Sequence, residues 1–111
     1  MTTYYISLPD PAKARGNDTA LSFHSQGAQG FAEELQAALT STALFDKWKA
    51  KQSDPDAVPE QWGVTDPAAS VTGTQDDLQI KLEARTTIKG EILKERLRLL
   101  AGPHWTLHDV R

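Results

Sequence analysis

Leu78-Gln79-Ile80-Lys81-Leu82-Glu83-Ala84-Arg85-Thr86-Thr87-Ile88 alternates two kinds of side chain without a break. Leu78, Ile80, Leu82, Ala84, Thr86 and Ile88 fall on one side. Gln79, Lys81, Glu83, Arg85 and Thr87 fall on the other. A strict two-residue period is that of a β-strand with one buried and one solvated face, and it predicts a sheet covered on one side only. Just upstream, Ala69, Val71 and Gly73 alternate with Ser70, Thr72 and Thr74, and Asp76-Asp77 supply turn chemistry, so the two arms read as a β-hairpin. Downstream, Gly90 opens a helix through Ile92, Leu93, Leu97, Leu99 and Leu100. Gly102-Pro103 ends it with a left-handed cap and a stop. A last strand follows, with Trp105 and Leu107 directed inward.

The N-terminal half repeats the theme less sharply. Thr3 to Leu8 is rich in β-formers and is stopped by Pro9-Asp10-Pro11. A loop runs to about Asp18. In Thr19 to Ser25, Leu21 and Phe23 alternate with Ser22 and His24, which predicts a second strand with His24 on its polar face. After Gly27 to Gly30, the residues Phe31, Leu35, Ala38, Leu39 and Thr42 recur at three- and four-residue spacing, the mark of an amphipathic helix. The stripe loses phase at Thr40-Ser41-Thr42, residues that favour helix starts over helix interiors. A break is expected there, then a short helix presenting Leu44, Phe45 and Trp48. Residues 53–68 hold Pro55, Pro59, Gly63 and Pro67 among Asp54, Asp56, Glu60 and Asp66, a long acidic, Pro-rich loop.

From Thr19 onward the predicted order is strand, helix, strand, strand, helix, strand. This is the order of a split βαβ, ferredoxin-like two-layer α+β sandwich, here with one extra N-terminal strand and an antiparallel-rich sheet carrying both helices on one face. Right-handed crossovers place the strand of Leu21 and Phe23 centrally, between the arm of Ile80 and Leu82 and the C-terminal strand. The 111 residues fit one domain, 1–111.

Composition removes several chemistries. The chain has no cysteine, so disulfides, thiolate zinc sites, iron–sulfur clusters and cysteine nucleophiles are excluded. Twelve Lys and Arg against fifteen Asp and Glu give a net charge of −3, which disfavours nucleic acid as a partner. No apolar run approaches the ~20 residues of a membrane span, and Met1 to Leu8 lacks the charge and length of a secretory leader, so no membrane role and a cytoplasmic location are expected.

His104 and His108 are spaced like a metal pair, but on a strand they lie about 13 Å apart at about 3.3 Å per residue, too far to share an ion. If the topology holds, His24 shares the open sheet face with them and with Glu83 and Arg85, as solvated polar residues. Arg96 breaks the pattern of its helix, because it sits inside the apolar arc bounded by Leu97 and Leu99 and between Ile92 and Leu100. A buried guanidinium should meet a carboxylate of this chain, of another subunit or of an acidic ligand; the reading expected first is a stem lying on the core with its head reaching water or an internal Asp or Glu, and the alternative is a ligand anchor or interface pair. Glu91, Lys94, Glu95 and Arg98 form the solvated face of the same helix. Trp62 stands in the acidic loop, either folded back as a plug or presented as an interface anchor. The acids of that loop lack calcium-loop spacing and are expected to solvate it. Gly27 to Gly30 mark a turn and not a phosphate site.

No nucleophile elbow, zinc-protease motif or dinucleotide fingerprint is present. The expectation is therefore a non-enzymatic protein-interaction domain without a cofactor, binding a protein partner or itself through the open sheet face or the Trp62 loop. One alternative is a small anionic-ligand domain or simple enzyme using Arg96 and a histidine. The other is a subunit of a homo-oligomer paired through strand edges.

Overall fold

The computed structural model covers Met1–Arg111. Thr2–Leu8 forms strand β1, Ala28–Thr40 helix α1, Ala43–Ala50 helix α2, Ser70–Asp76 strand β2, Gln79–Thr86 strand β3, Gly90–Ala101 helix α3 and Thr106–Val110 strand β4. The strands make one antiparallel sheet in the order β2-β3-β1-β4. Three helices pack with it into a mixed α+β architecture. No helix is long and apolar enough to cross a membrane.

The alternation of β3 decides what the sheet buries. Ile80, Leu82, Ala84 and Thr86 point into the core, opposite Leu8, Ile6, Tyr4 and Thr2 of β1. Phe31, Leu35, Ala38 and Leu39 of α1 and Leu93, Leu97 and Leu100 of α3 close over them. Phe23 meets Phe31 edge to face at 4.9 Å, a favoured aromatic geometry. At Gly73 the start of α1 lies directly on β2. A Cβ there would fall 2.3 Å from the Ala28 carbonyl oxygen, so only glycine admits this approach.

Two strand expectations are corrected. Thr19 to Ser25 is not a strand; the segment is irregular, and the sheet has four strands rather than five. Leu21, Ser22 and Phe23 are all buried in succession, which no strand with one solvated face allows. The segment instead closes the C-terminal end of α3. Gly16 N and Phe23 N donate to the Leu100 carbonyl at 3.1 and 2.9 Å, and Ser22 Oγ approaches the same oxygen at 3.2 Å. The central place goes to β1, the strand expected to be the extra one. It is buried on the helix side by Tyr4, Ile6 and Leu8, and Ser7 is enclosed on the other face.

Leu78 is likewise not on the buried face. It sits with Asp77 in a two-residue loop between Asp76 and Gln79, and it is 82% exposed. Asp77 takes a φ of 57°, in the left-handed region that short polar side chains tolerate. The break between α1 and α2 lies at Ser41 and Thr42, as their poor helix propensity predicts. Gly102 follows α3 with a φ of 63° and returns its N–H to the Arg98 carbonyl at 2.9 Å.

The loop after α2 contains short 3-10 turns at Pro55–Ala57 and Glu60–Gly63. Asp66 was expected to solvate it and is instead one of its buried anchors. Its N–H donates to the Leu39 carbonyl at 2.8 Å. Its carboxylate accepts from Thr87 N and Thr86 Oγ1 at 2.9 Å each and from Ala68 N at 3.1 Å. Thus one side chain ties the loop to the end of β3.

Candidate functional site

Helix α2 is two turns long, too short to hold itself together in water. It carries Leu44, Phe45 and Trp48 on one side, all half-buried. Across from it, α3 turns Ile92 and Leu99 outward from the face that packs on the sheet. The turn Glu60–Gly63 brings Trp62 over the gap between the two helices. These six apolar side chains, with Glu95, Arg96 and Arg98, line a half-open cavity of about 240 Å³. Phe45 and Trp48 stand 5.9 Å apart between ring centroids. Gly63 lets the Phe45 ring close on the turn, since a Cβ there would lie 2.6 Å from the ring.

Arg96 forms part of the cavity wall and fixes its shape. Its side chain is buried, with Nη1 donating to the Ala38 carbonyl at 3.1 Å and Nη2 to the carbonyls of Trp62, at 3.0 Å, and Val64. The expectation of a carboxylate partner is therefore corrected: none of the five ion pairs of the protein includes Arg96. Ala38 lies in the last turn of α1, where unpaired carbonyls make the negative end of the helix. Carbonyl dipoles thus stand in for an anion. Burial pulls the guanidinium pKa below its usual value, yet an arginine remains charged at neutral pH. Because Nη1 and Nη2 are spent on the backbone, Arg96 acts as a tie between α3, α1 and the Trp62 turn.

The cavity opens at both ends. Past Trp48 and Leu99 it runs into a mostly polar groove of about 720 Å³ whose lining includes Leu21 and Trp105. Past Trp62 and Ile92 it meets a recess of about 390 Å³ beside Val64 and Ile88. All three tryptophans of the chain, Trp48, Trp62 and Trp105, are half-buried along this one surface. Two ion pairs lie on its rim: Arg98 Nη2 is 2.6 Å from Glu95 Oε2, and Lys51 Nζ is 2.5 Å from Asp18 Oδ2, while Glu91 and Lys94 beside them are unpaired.

The histidines do not converge. His24 is exposed beside α1, where its backbone N–H donates to the Glu34 carboxylate at 3.0 Å, so it shares no sheet face with the others. His104 precedes β4 and is exposed. His108 lies on the open face, where a bulge between Tyr5 and Ile6 shifts the β1–β4 register, and its Nε2 shares a 2.6 Å hydrogen bond with Ser7 Oγ. With Tyr5, Lys81 and Glu83 it lines a recess of about 280 Å³. Ser7 itself is 1% exposed, so this Ser–His pair cannot receive an electrophile. Arg85 is exposed on β3 between Thr3 and Ser70. No group of three His, Asp or Glu side chains lies close enough to hold a metal ion.

Of the residues singled out in the sequence, Arg96 and Trp62 come together. The groove's other aromatic walls, Phe45, Trp48 and Trp105, were legible only as elements of separate segments. No family model, curated protein or solved structure matches the chain.

Proposed function

We propose that this chain is a non-enzymatic protein-interaction domain whose partner enters the groove lined by Trp48, Trp62 and Trp105. The observation that carries the reading is that all three tryptophans, from three separate segments, lie along one surface, Trp48 and Trp62 on the cavity and Trp48 and Trp105 on the groove beside it. Half-buried tryptophans lose little further freedom on binding and supply large apolar area, which is why they dominate interface energetics. The cavity of about 240 Å³ is smaller than the roughly 300–1,000 Å³ of most small-molecule sites, although the groove and recess it opens into, at about 720 and 390 Å³, are within that range. It suits one large side chain, and the open groove beyond suits the backbone flanking that side chain. The groove has no net charge, since Asp18, Glu91 and Glu95 balance Lys51, Lys94 and Arg98, so recognition there rests on apolar fit.

The sheet order supports reading the fold as a split βαβ, ferredoxin-like sandwich. In that reading α1 links β1 to β2 across β3, α3 links β3 to β4 across β1, and the groove runs over the outer side of the helix layer.

The test is a selection from a random peptide display library against the folded protein, followed by calorimetric titration. Enriched peptides should share one large apolar anchor, and Trp48→Ala should weaken them at least tenfold, as about 1.4 kcal/mol or more does at a hot spot. Arg85→Ala, on the open sheet face, should leave them unchanged. Peptides that bind Trp48→Ala as well as the parent would overturn the reading.

A further inference from the structure

The tie made by Arg96 does not use the whole guanidinium. Nη1 and Nη2 donate to three backbone carbonyls, whereas Nε makes no hydrogen bond. Every side-chain nitrogen or oxygen sealed inside the protein has a partner, so Nε is open to solvent although Arg96 as a whole is 4% exposed. Arg96 lines the cavity and neither the groove nor the recess, so it is from the cavity that Nε is reached. Its charge is unmatched as well. Groove and recess are each neutral, with Asp18, Glu91 and Glu95 balancing Lys51, Lys94 and Arg98 in the first and Glu91 balancing Lys89 in the second. In the cavity wall Glu95 is held by Arg98 at 2.6 Å, and no acid is left to balance Arg96. The carbonyls satisfy its hydrogens but carry partial charge only, about half a unit for the end of a helix. Burial pulls its pKa down, and no carboxylate raises it again.

We infer that the partner enters by its C-terminus: its last residue puts a large apolar side chain into the cavity, and the free carboxylate of that residue accepts a hydrogen bond from Arg96 Nε. This rests on the groove being a docking site. The cavity joins apolar walls, Leu44, Phe45, Trp48, Trp62, Ile92 and Leu99, to one unbalanced positive charge. In so small a space the apolar bulk and the anion must belong to the same residue. Aspartate and glutamate carry their acid at the tip of the side chain and lack such bulk, so within a polypeptide only the chain end offers both. A hydrogen bond between a guanidinium and a carboxylate is roughly twice as strong as one between neutral groups. The residues before the last one leave along the neutral groove.

Two display libraries of short random peptides test this, one with free C-termini and one with the C-termini blocked by fusion. Peptides enriched from the first should finish on leucine, methionine, phenylalanine or tryptophan. Amidating the terminal carboxyl of the synthetic peptides should weaken their calorimetric binding at least tenfold. N-acetyl-leucine, which brings an end residue without the chain, should bind at least tenfold more weakly than the peptides. In the heteronuclear NMR spectrum of the unsubstituted protein, the Arg96 Nε–H resonance should move downfield with the acid and stay in place with the amide. Equal affinity of acid and amide overturns the inference. So does an acid preference during which the Arg96 Nε–H resonance stays still, or N-acetyl-leucine that binds as tightly as the peptides. If only blocked peptides are enriched and they bind in a Trp48-dependent way, the inference falls and the groove reading stands. If neither library yields a Trp48-dependent binder, both fall.

Discussion

Arg96 contributes to stability through hydrogen bonds and not through a salt bridge. Three carbonyls, of Ala38, Trp62 and Val64, are satisfied by one guanidinium. Arg96→Leu keeps the bulk but strips those oxygens of their donor, and buried polar groups left unpaired cost about 1–3 kcal/mol each. The expected loss is about 3 kcal/mol, because the released turn recovers part of the cost by hydrating its carbonyls. Urea unfolding followed by circular dichroism measures it. A loss under ~1 kcal/mol, within the range of ordinary surface substitutions, would show that the tie is not needed. The sequence disclosed that Arg96 is buried, because its position in the apolar arc follows from helical spacing alone. It did not disclose the partner, since backbone oxygens have no letter in a sequence.

At the level of elements, the long periodic segments were legible and the short ones were not. The β3 strand and helices α1 and α3 each repeat their period often enough for side-chain direction to be unambiguous. Thr19 to Ser25 offered only Leu21 and Phe23, and two alternating residues fit an extended cap as well as a strand. That cap has a testable role. Ser22 Oγ accepts from Gly16 N at 2.9 Å and lies 3.2 Å from the Leu100 carbonyl oxygen, so Ser22→Ala removes a partner from the end of α3. A cost of about 0.5–1.5 kcal/mol is expected for the lost hydrogen bonds, since Gly16 N and Phe23 N still serve the Leu100 carbonyl, with faster hydrogen exchange confined to the last turn of α3. Exchange that rises uniformly across the sheet would place the effect elsewhere. The groove was hidden for a related reason. Its walls come from α2, α3 and the Trp62 turn, whose mutual placement depends on long-range packing that no local pattern encodes.

For the molecule as a whole, acid is the condition that should loosen it. Asp66 is held below the usual carboxylate range, first by the Thr87 N–H, then by the Thr86 hydroxyl and the Ala68 N–H. A carboxyl with a depressed folded pKa contributes stability that is fully present above its unfolded value, about 3.9, and is lost as pH falls through the folded value. The urea midpoint should therefore hold between pH 7 and 5 and drop toward pH 3. Asp66→Asn should start lower at pH 7 and show a shallower acid drop. Asp18 and Asp109 are also lowered, chiefly by hydrogen bonds from Lys51 and Arg111. Those exposed pairs weaken in salt, so a difference between parent and Asp66→Asn that persists in added salt belongs to Asp66. An acid drop of equal depth in both proteins would remove Asp66 from this role.

The placement of the tryptophans has an optical consequence. With Trp48, Trp62 and Trp105 as the only indoles in the chain, each lining the cavity or the groove that adjoins it, selectively excited intrinsic emission carries no background from indoles elsewhere in the fold. The unlabelled protein reports on its own recognition surface. A shift in its emission at constant far-ultraviolet circular dichroism signals an event in the groove, so every titration described above can be followed by light alone.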